Sequence, residues 1–147
     1  MPSDSSPRFP SLAWCRALVA AIHANPESAV AGKGWRGTLC VAVLADDALR
    51  EPFFVFSRIE DGRVLEVRPL DDEDEIDELE PDYVAKAGYL TWKRFIRGDY
   101  DPIEALLQRK IHFAGDLTPI AERAQFKRLF WETLARVPTA FADEEAP

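Results

Sequence analysis

The stretch from Tyr89 to Asp116 constrains this chain most, because it carries its own punctuation. Leu90, Trp92, Phe95 and Ile96 fall at helical spacings and predict a helix over 89–97 with one apolar side. Gly98 can take the left-handed conformation that ends a helix. Asp101 is a strong cap for the next one, with Pro102 at its first position and Glu104 at its third, a capping-box arrangement. Ile103, Leu106 and Leu107 repeat at three and four, and Arg109 and Lys110 suit the negative end of the helix dipole. Ile111 and Phe113 then alternate with His112 and Ala114, which predicts a short strand before Gly115.

Upstream, Ser11 can cap a helix in which Leu12, Cys15, Val19 and Ile22 repeat at three or four, widened by Trp14, Leu18 and Ala21. Asn25-Pro26 ends it, and Pro26 can open a short helix closed by Gly32. Thr38 to Ala45 is too continuously apolar for a half-exposed strand, so it reads as central and buried on both faces. Phe53–Glu60 and Arg63–Pro69 flank Asp61-Gly62, a two-residue hairpin turn with positive φ. Uninterrupted pairing from that turn sets Glu60 opposite Arg63, Phe56 opposite Val67 and Phe54 opposite Pro69. Phe54, Phe56, Leu65 and Val67 are then expected to share the core face of the sheet, under the helices. Asp82 to Ala87 predicts a fourth strand with Tyr83, Ala85 and Ala87 on one side. A last helix is expected from Thr118-Pro119 to about Arg136.

The length of 147 residues suits one domain whose core needs neither disulfide nor metal. Residues 1–9 are expected to be a disordered N-terminus, 10–137 the domain and 138–147 an acidic tail. The net charge of −8 argues against nucleic acid and against anionic lipid surfaces, both of which need basic patches. Cys15 and Cys40 lie in apolar runs and read as buried free thiols. No apolar run is long enough for a membrane span, and the first residues lack the apolar stretch of a signal peptide, so a cytoplasmic setting is expected.

Reaction centres are hard to find. No GxSxG or HExxH pattern occurs, and the glycines near residue 34 do not precede a helix in phosphate-cradling order. His112 alternates with core residues in its strand and reads as a sheet-face histidine. Eight acids crowd Asp71 to Glu80 without the glycine of a calcium loop, so this run reads as a solvated inter-strand loop that a protein partner could use. Trp92, Phe95, Phe113, Phe126, Phe130 and Trp131 concentrate aromatic surface in the second half. A packed core and a cavity wall have the same composition, and pattern alone leaves both open.

The order Trp92, Gly98, Asp101-Pro102, Ala105, Lys110 and Gly115-Asp116 resembles the sterol carrier protein type 2 family, and more weakly so from Trp35 to the final helix. The resemblance implies an α+β fold: a five-stranded, mainly antiparallel sheet with helices packed on one face and an apolar tunnel between them. It implies non-enzymatic binding or transfer of a fatty acyl or polycyclic lipid, with no cofactor. By position, Trp92 and Phe95 would lie over the tunnel and Ile103, Leu106 and Leu107 along its side. Ile111 and Phe113 would form its floor, and Phe126, Leu129 and Phe130 would close its mouth. The hairpin residues Phe54, Phe56, Leu65 and Val67 are expected to complete the sheet wall. An accessory protein with a filled core, docking through the acidic run, is the alternative that relatives of the family suggest.

Overall fold

The computed structural model describes residues 6–100, 108–116, 118, 122 and 124–144, with the side chains of residues 29, 124, 126 and 127 outside the description. Among them the helices run α1 (Leu12–Ala24), α2 (Glu27–Ala31), α3 (Asp74–Leu79), α4 (Tyr89–Ile96) and α5 (Ala124–Arg136). Two short strands, β1 (Arg8–Phe9) and β7 (Ala140–Phe141), pair parallel. The main sheet holds β2 (Arg36–Leu44), β3 (Phe53–Glu60), β4 (Arg63–Leu70), β5 (Tyr83–Gly88) and β6 (His112–Ala114), in the order β4-β3-β2-β5-β6. Only the β2–β5 pair of this sheet is parallel, so the fold is the expected α+β with a mainly antiparallel sheet.

Local chemistry explains the elements. The Ser11 hydroxyl accepts from the Trp14 backbone N–H at 3.1 Å and caps α1. Strand β2 is central, with Cys40 and Ala42 fully buried, as its apolar run predicts. Tyr83, Ala85 and Ala87 alternate inward along β5. Asp61 and Gly62 both have positive φ and make the hairpin turn. Gly62 must be glycine twice over, because a Cβ there would also lie 2.4 Å from the Ser28 carbonyl oxygen.

The hairpin register departs from the expectation. Glu60 does face Arg63, but a bulge between Arg58 and Ile59 leaves Leu65 as an extra residue. Beyond it the pairing slips by one: Phe56 faces Arg68, and Val67 faces Ser57 on the opposite side of the sheet. Leu65 ends up 49% exposed. The slip would be costly for Arg68 only if that cation lacked a partner. Its guanidinium lies 5.1 Å from the Phe56 ring centroid and pairs with Glu66 at 3.3 Å. Strand β4 is also an edge strand, where a bulge disturbs one ladder alone.

The two sheet faces are also assigned differently from the expectation. Val41 and Val43 pack with Trp14 of α1, Tyr89 and Ile96 of α4 and Leu134 of α5. Cys40 and Ala42 point the other way, with Phe54 and Phe56 beside them, and are sealed by Ile76 and Leu79 of α3. Phe54 and Phe56 are core residues, but of the face turned away from α4. The acidic run is likewise more than a loop. It forms α3, whose Ile76 is 4% exposed while Asp71, Asp72, Glu73, Asp74, Asp77, Glu78 and Glu80 stay in water.

Described residues on both sides of the expected boundaries at residues 10 and 137 pack into the fold. Phe9 is 5% exposed and packs against Trp14, Tyr89 and Phe141. Trp14 Nε1–H donates to Thr139 Oγ1 at 2.9 Å, and the Ala140 N–H donates to the Pro7 carbonyl at 2.9 Å. Aromatic burial at Phe9 and Phe141 outweighs the polar composition around them. Among the described residues no helix is long and apolar enough to cross a membrane.

Candidate functional site

Strand β5 lays down a floor of small side chains. Ala85 and Ala87 occupy successive inward positions, with Val41 and Val43 of β2 beside them in register. Phe113 of β6 pairs with Ala85 from the other side. Above this floor stand Trp92 and Phe95 of α4, with Ile111, Leu39 and Tyr100 at its edges. Gly88 passes the chain directly from β5 into α4, so the floor and its cover are consecutive in sequence.

The aromatic cover is an edge-to-face chain. Trp92 meets Phe95 at 5.8 Å between centroids, and Phe95 meets Trp131 of α5 at 5.0 Å. Trp92 is oriented by its Nε1–H, which donates to the Ala42 carbonyl at 3.0 Å. Trp92, Phe95, Phe113, Phe130 and Trp131 are all half-buried, whereas the floor alanines are each 7% exposed. Large half-buried rings thus lie over small buried residues.

Of the site residues expected from sequence, the structure brings Trp92, Phe95, Ile111 and Phe113 together on this floor. Phe130 joins the adjoining cluster beside Trp92 and Trp131. Leu129 faces elsewhere: it lines a polar niche of about 80 Å³ with Asn25, Glu27, Gln125, Arg128 and Glu132. That niche is too small and too polar for a lipid chain. Phe54 and Phe56 lie behind the sheet, Leu65 is exposed, and Val67 is half-buried opposite Ser57. Ile103, Leu106 and Leu107 lie outside the described residues, as does the Phe126 side chain. Sequence reasoning left out Ala85, Ala87 and Trp131. The inward alternation of β5 was legible, but small residues carry no sign of whether larger ones fill the space above them.

A second constellation was not anticipated. Lys93, 7% exposed, faces the C-terminal segment, where its Nζ donates to Asp143 Oδ1 and Oδ2 at 3.0 and 2.9 Å and also reaches the Glu144 carboxylate. Tyr89 Oη donates to Asp143 Oδ1 at 2.6 Å, and Arg97 pairs with Glu144 at 3.2 Å. Burial, the largest single influence, pulls the Lys93 pKa down, but bonds to Glu144 and Asp143 and their charges outweigh it and leave it raised. For Asp143, burial pushes upward and is outweighed by hydrogen bonds from Tyr89 and Lys93 and by the Lys93 charge, leaving it lowered. Burial, and then the bond to Asp143, raise Tyr89. A lysine held charged is a poor base and a tyrosine held neutral a poor nucleophile, so this group serves as a clamp between α4 and the C-terminal segment.

The thiols are similarly quiet. Burial pushes Cys15 up to about 12. Burial, opposed by the Arg68 charge, pushes Cys40 up to about 11. Among the described residues no group of three His, Cys, Asp or Glu side chains is placed to hold a metal ion.

No protein-family model matches the sequence, and no curated protein matches it. Solved structures do match the fold. One is a crystal structure of sterol carrier protein 2, 22% identical, with a TM-score of 0.71 over 85% of this chain and 95% of that one. Another is a conserved hypothetical protein of Thermus thermophilus, described as a candidate sterol carrier protein. It is 22% identical, with a TM-score of 0.73 over 92% of this chain and 94% of that one. The sterol carrier protein domain 2 of Helicoverpa armigera is 18% identical, with a TM-score of 0.59 over 90% of this chain and 97% of that one. The fold is sterol carrier protein 2-like.

Proposed function

We propose that this chain binds an apolar lipid, fatty acyl or polycyclic, and carries it without chemical change. The observation that carries the reading is the half-buried aromatic cover of Trp92, Phe95, Phe113 and Trp131 over the Ala85–Ala87 floor, in a fold shared with proteins named as sterol carriers. The ligand lies between that floor and helices α4 and α5. Its affinity comes from apolar area removed from water, roughly 25 cal/mol per Å². Titration with a fluorescent fatty acid tests the reading, together with organic extraction and mass spectrometry of lipids that co-purify. Saturable binding that weakens in Ala85→Phe, where a large ring fills the floor, is expected. Absence of saturable binding by the wild-type protein would rule the carrier out.

A second reading is docking of a protein partner on the acidic side of α3. Its apolar residues Ile76 and Leu79 are used internally, which leaves an outer face made of carboxylates. The same titration separates the two, because a docking module need not bind lipid at all.

A further inference from the structure

His23 does work in this fold that only its neutral form can do. Half-buried in the last turn of α1, it accepts the Val64 backbone N–H on Nε2 at 3.1 Å. The ring proton therefore sits on Nδ1, because the accepting nitrogen must offer its lone pair. Strand β4 is an edge strand with α1 packed against it, so this bond ties the first helix to the sheet. It falls at a weak place in the ladder. On one side the turn is firmly seated: the Asp61 N–H donates to the Trp35 carbonyl at 2.8 Å and the Gly34 N–H to Asp61 Oδ1 at 2.7 Å. On the other side stands Leu65, the bulged and exposed residue. Val64 lies between them and is held to α1 by His23. A helix C-terminus ordinarily favours a cation. Here the Ile22 carbonyl is already taken by the Asn25 N–H and the Ser28 hydroxyl. Burial first, and the Arg63 charge second, hold the His23 pKa below its ordinary 6.5. Elsewhere on β4, Glu66 is engaged by Arg58 and Arg68. Glu27 of α2 and Arg128 and Glu132 of α5 gather at the niche beside Asn25, and among the described residues no carboxylate charge acts to raise His23.

We propose that His23 is an acid-sensitive latch between α1 and the bulged edge strand β4. Neutral, its Nε2 lone pair holds Val64 to the helix. A proton taken up from water fills that lone pair, the bond to Val64 is lost, and the new cation is repelled by Arg63. Strand β4 then comes away from α1 at Val64 and Leu65, while the turn stays bonded to Gly34 and Trp35. The fold favours the neutral ring, so the latch contributes above pH 6.5 and is lost as pH falls through the lower folded value. The latch needs no lipid and stands apart from the carrier reading.

Amide hydrogen exchange and histidine titration by NMR, on the full chain without lipid, test this. At about pH 7 the His23 ring should be the Nδ1–H tautomer. Between about pH 7 and about pH 5, after correction for the intrinsic pH dependence of exchange, protection of the Val64 amide should fall about five- to tenfold, as for loss of one hydrogen bond. The midpoint should match the titration of His23 and not that of His112, and the Asp61 amide should keep its protection. His23→Gln, which can accept at every pH, and His23→Ala, which never accepts, should both abolish the pH step. Val64 protection unchanged from about pH 7 to about pH 5 in the wild type, or an Nε2–H tautomer at about pH 7, overturns the latch. A step that survives in either variant belongs to another group and overturns the assignment to His23.

Discussion

The two faces of the sheet use similar residues to different ends. Behind the sheet, Phe54 and Phe56 are closed over by Ile76 and Leu79, above Cys40 and Ala42, which have no exposed surface. In front, Trp92, Phe95 and Phe113 stand half-buried over Ala85 and Ala87. Both faces are aromatic over small residues. On the closed face a short helix brings aliphatic side chains down to fill the space. On the other face rings meet rings edge to edge and are half-buried. Composition alone does not distinguish a packed core from a binding wall.

The sharpest way to break this contrast is Phe54→Ala. It should lower stability by about 3–5 kcal/mol in chemical denaturation, as for a fully packed aromatic cut to alanine. Lipid affinity of the folded variant should be unchanged. A matching loss of affinity would put Phe54 in the site and erase the distinction between faces.

Trp92→Ala should act on both properties. We expect about 3 kcal/mol of destabilisation, the low end of that range because the ring is half-buried, together with weaker lipid binding. An unaltered denaturation midpoint would mean that neither the ring nor its bond to the Ala42 carbonyl supports the fold.

The clamp between α4 and the C-terminal segment gives a pH-dependent test. Asp143 is held below its ordinary 3.8, so its contribution is present above that value and is lost as pH falls through the lower folded one. Lys93 is held above its ordinary 10.5, so its contribution is present below that value and is lost as pH rises through the higher folded one. Asp143→Asn should cost about 2 kcal/mol near neutrality, as for loss of a charge-assisted hydrogen bond. Melting temperatures of wild type and variant should differ by a constant amount from about pH 5 to about pH 9 and converge below about pH 4. A difference that persists in acid would show that the Asp143 charge is not what holds the segment to α4.

The smallest effect is expected on the outer side of α3. Asp74→Asn, Asp77→Asn, Glu78→Gln and Glu80→Gln together should leave lipid affinity unchanged, with each site shifting stability by less than about 0.5 kcal/mol. Lost lipid binding with the fold retained would promote this surface from covering to function.

Much of this was legible because it is local. The cap at Ser11, the Asp61-Gly62 turn and the glycine stop at Gly98 depend on residues within a few positions of one another. Strand β2 declared its burial by lacking polar alternation, and β5 declared its inward side. The candidate site was legible only where neighbours in sequence are neighbours in space: Trp92 with Phe95, and Ile111 with Phe113. It failed at Phe54 and Phe56 because alternation along β3 does not say which sheet face the larger helices cover, and at the pairing of Phe56 with Val67 because the bulge at Leu65 sets those two on opposite faces. The clamp was hidden for a related reason. Lys93 looks like any helical lysine until Asp143, fifty positions away in the chain, is brought against it.

The sequence by itself determined most element types, though not the helix in the acidic run, together with the hairpin turn and the concentration of aromatic residues in the second half. Periodicity and backbone preference act over a few residues and leave their mark there. Only the tertiary structure decided which sheet face α1, α4 and α5 cover, that α3 covers part of the other, and that Phe9 and Phe141 pack into the core. Those outcomes depend on register and on long-range contacts, where the energy of one side chain is set by partners that the local pattern does not name.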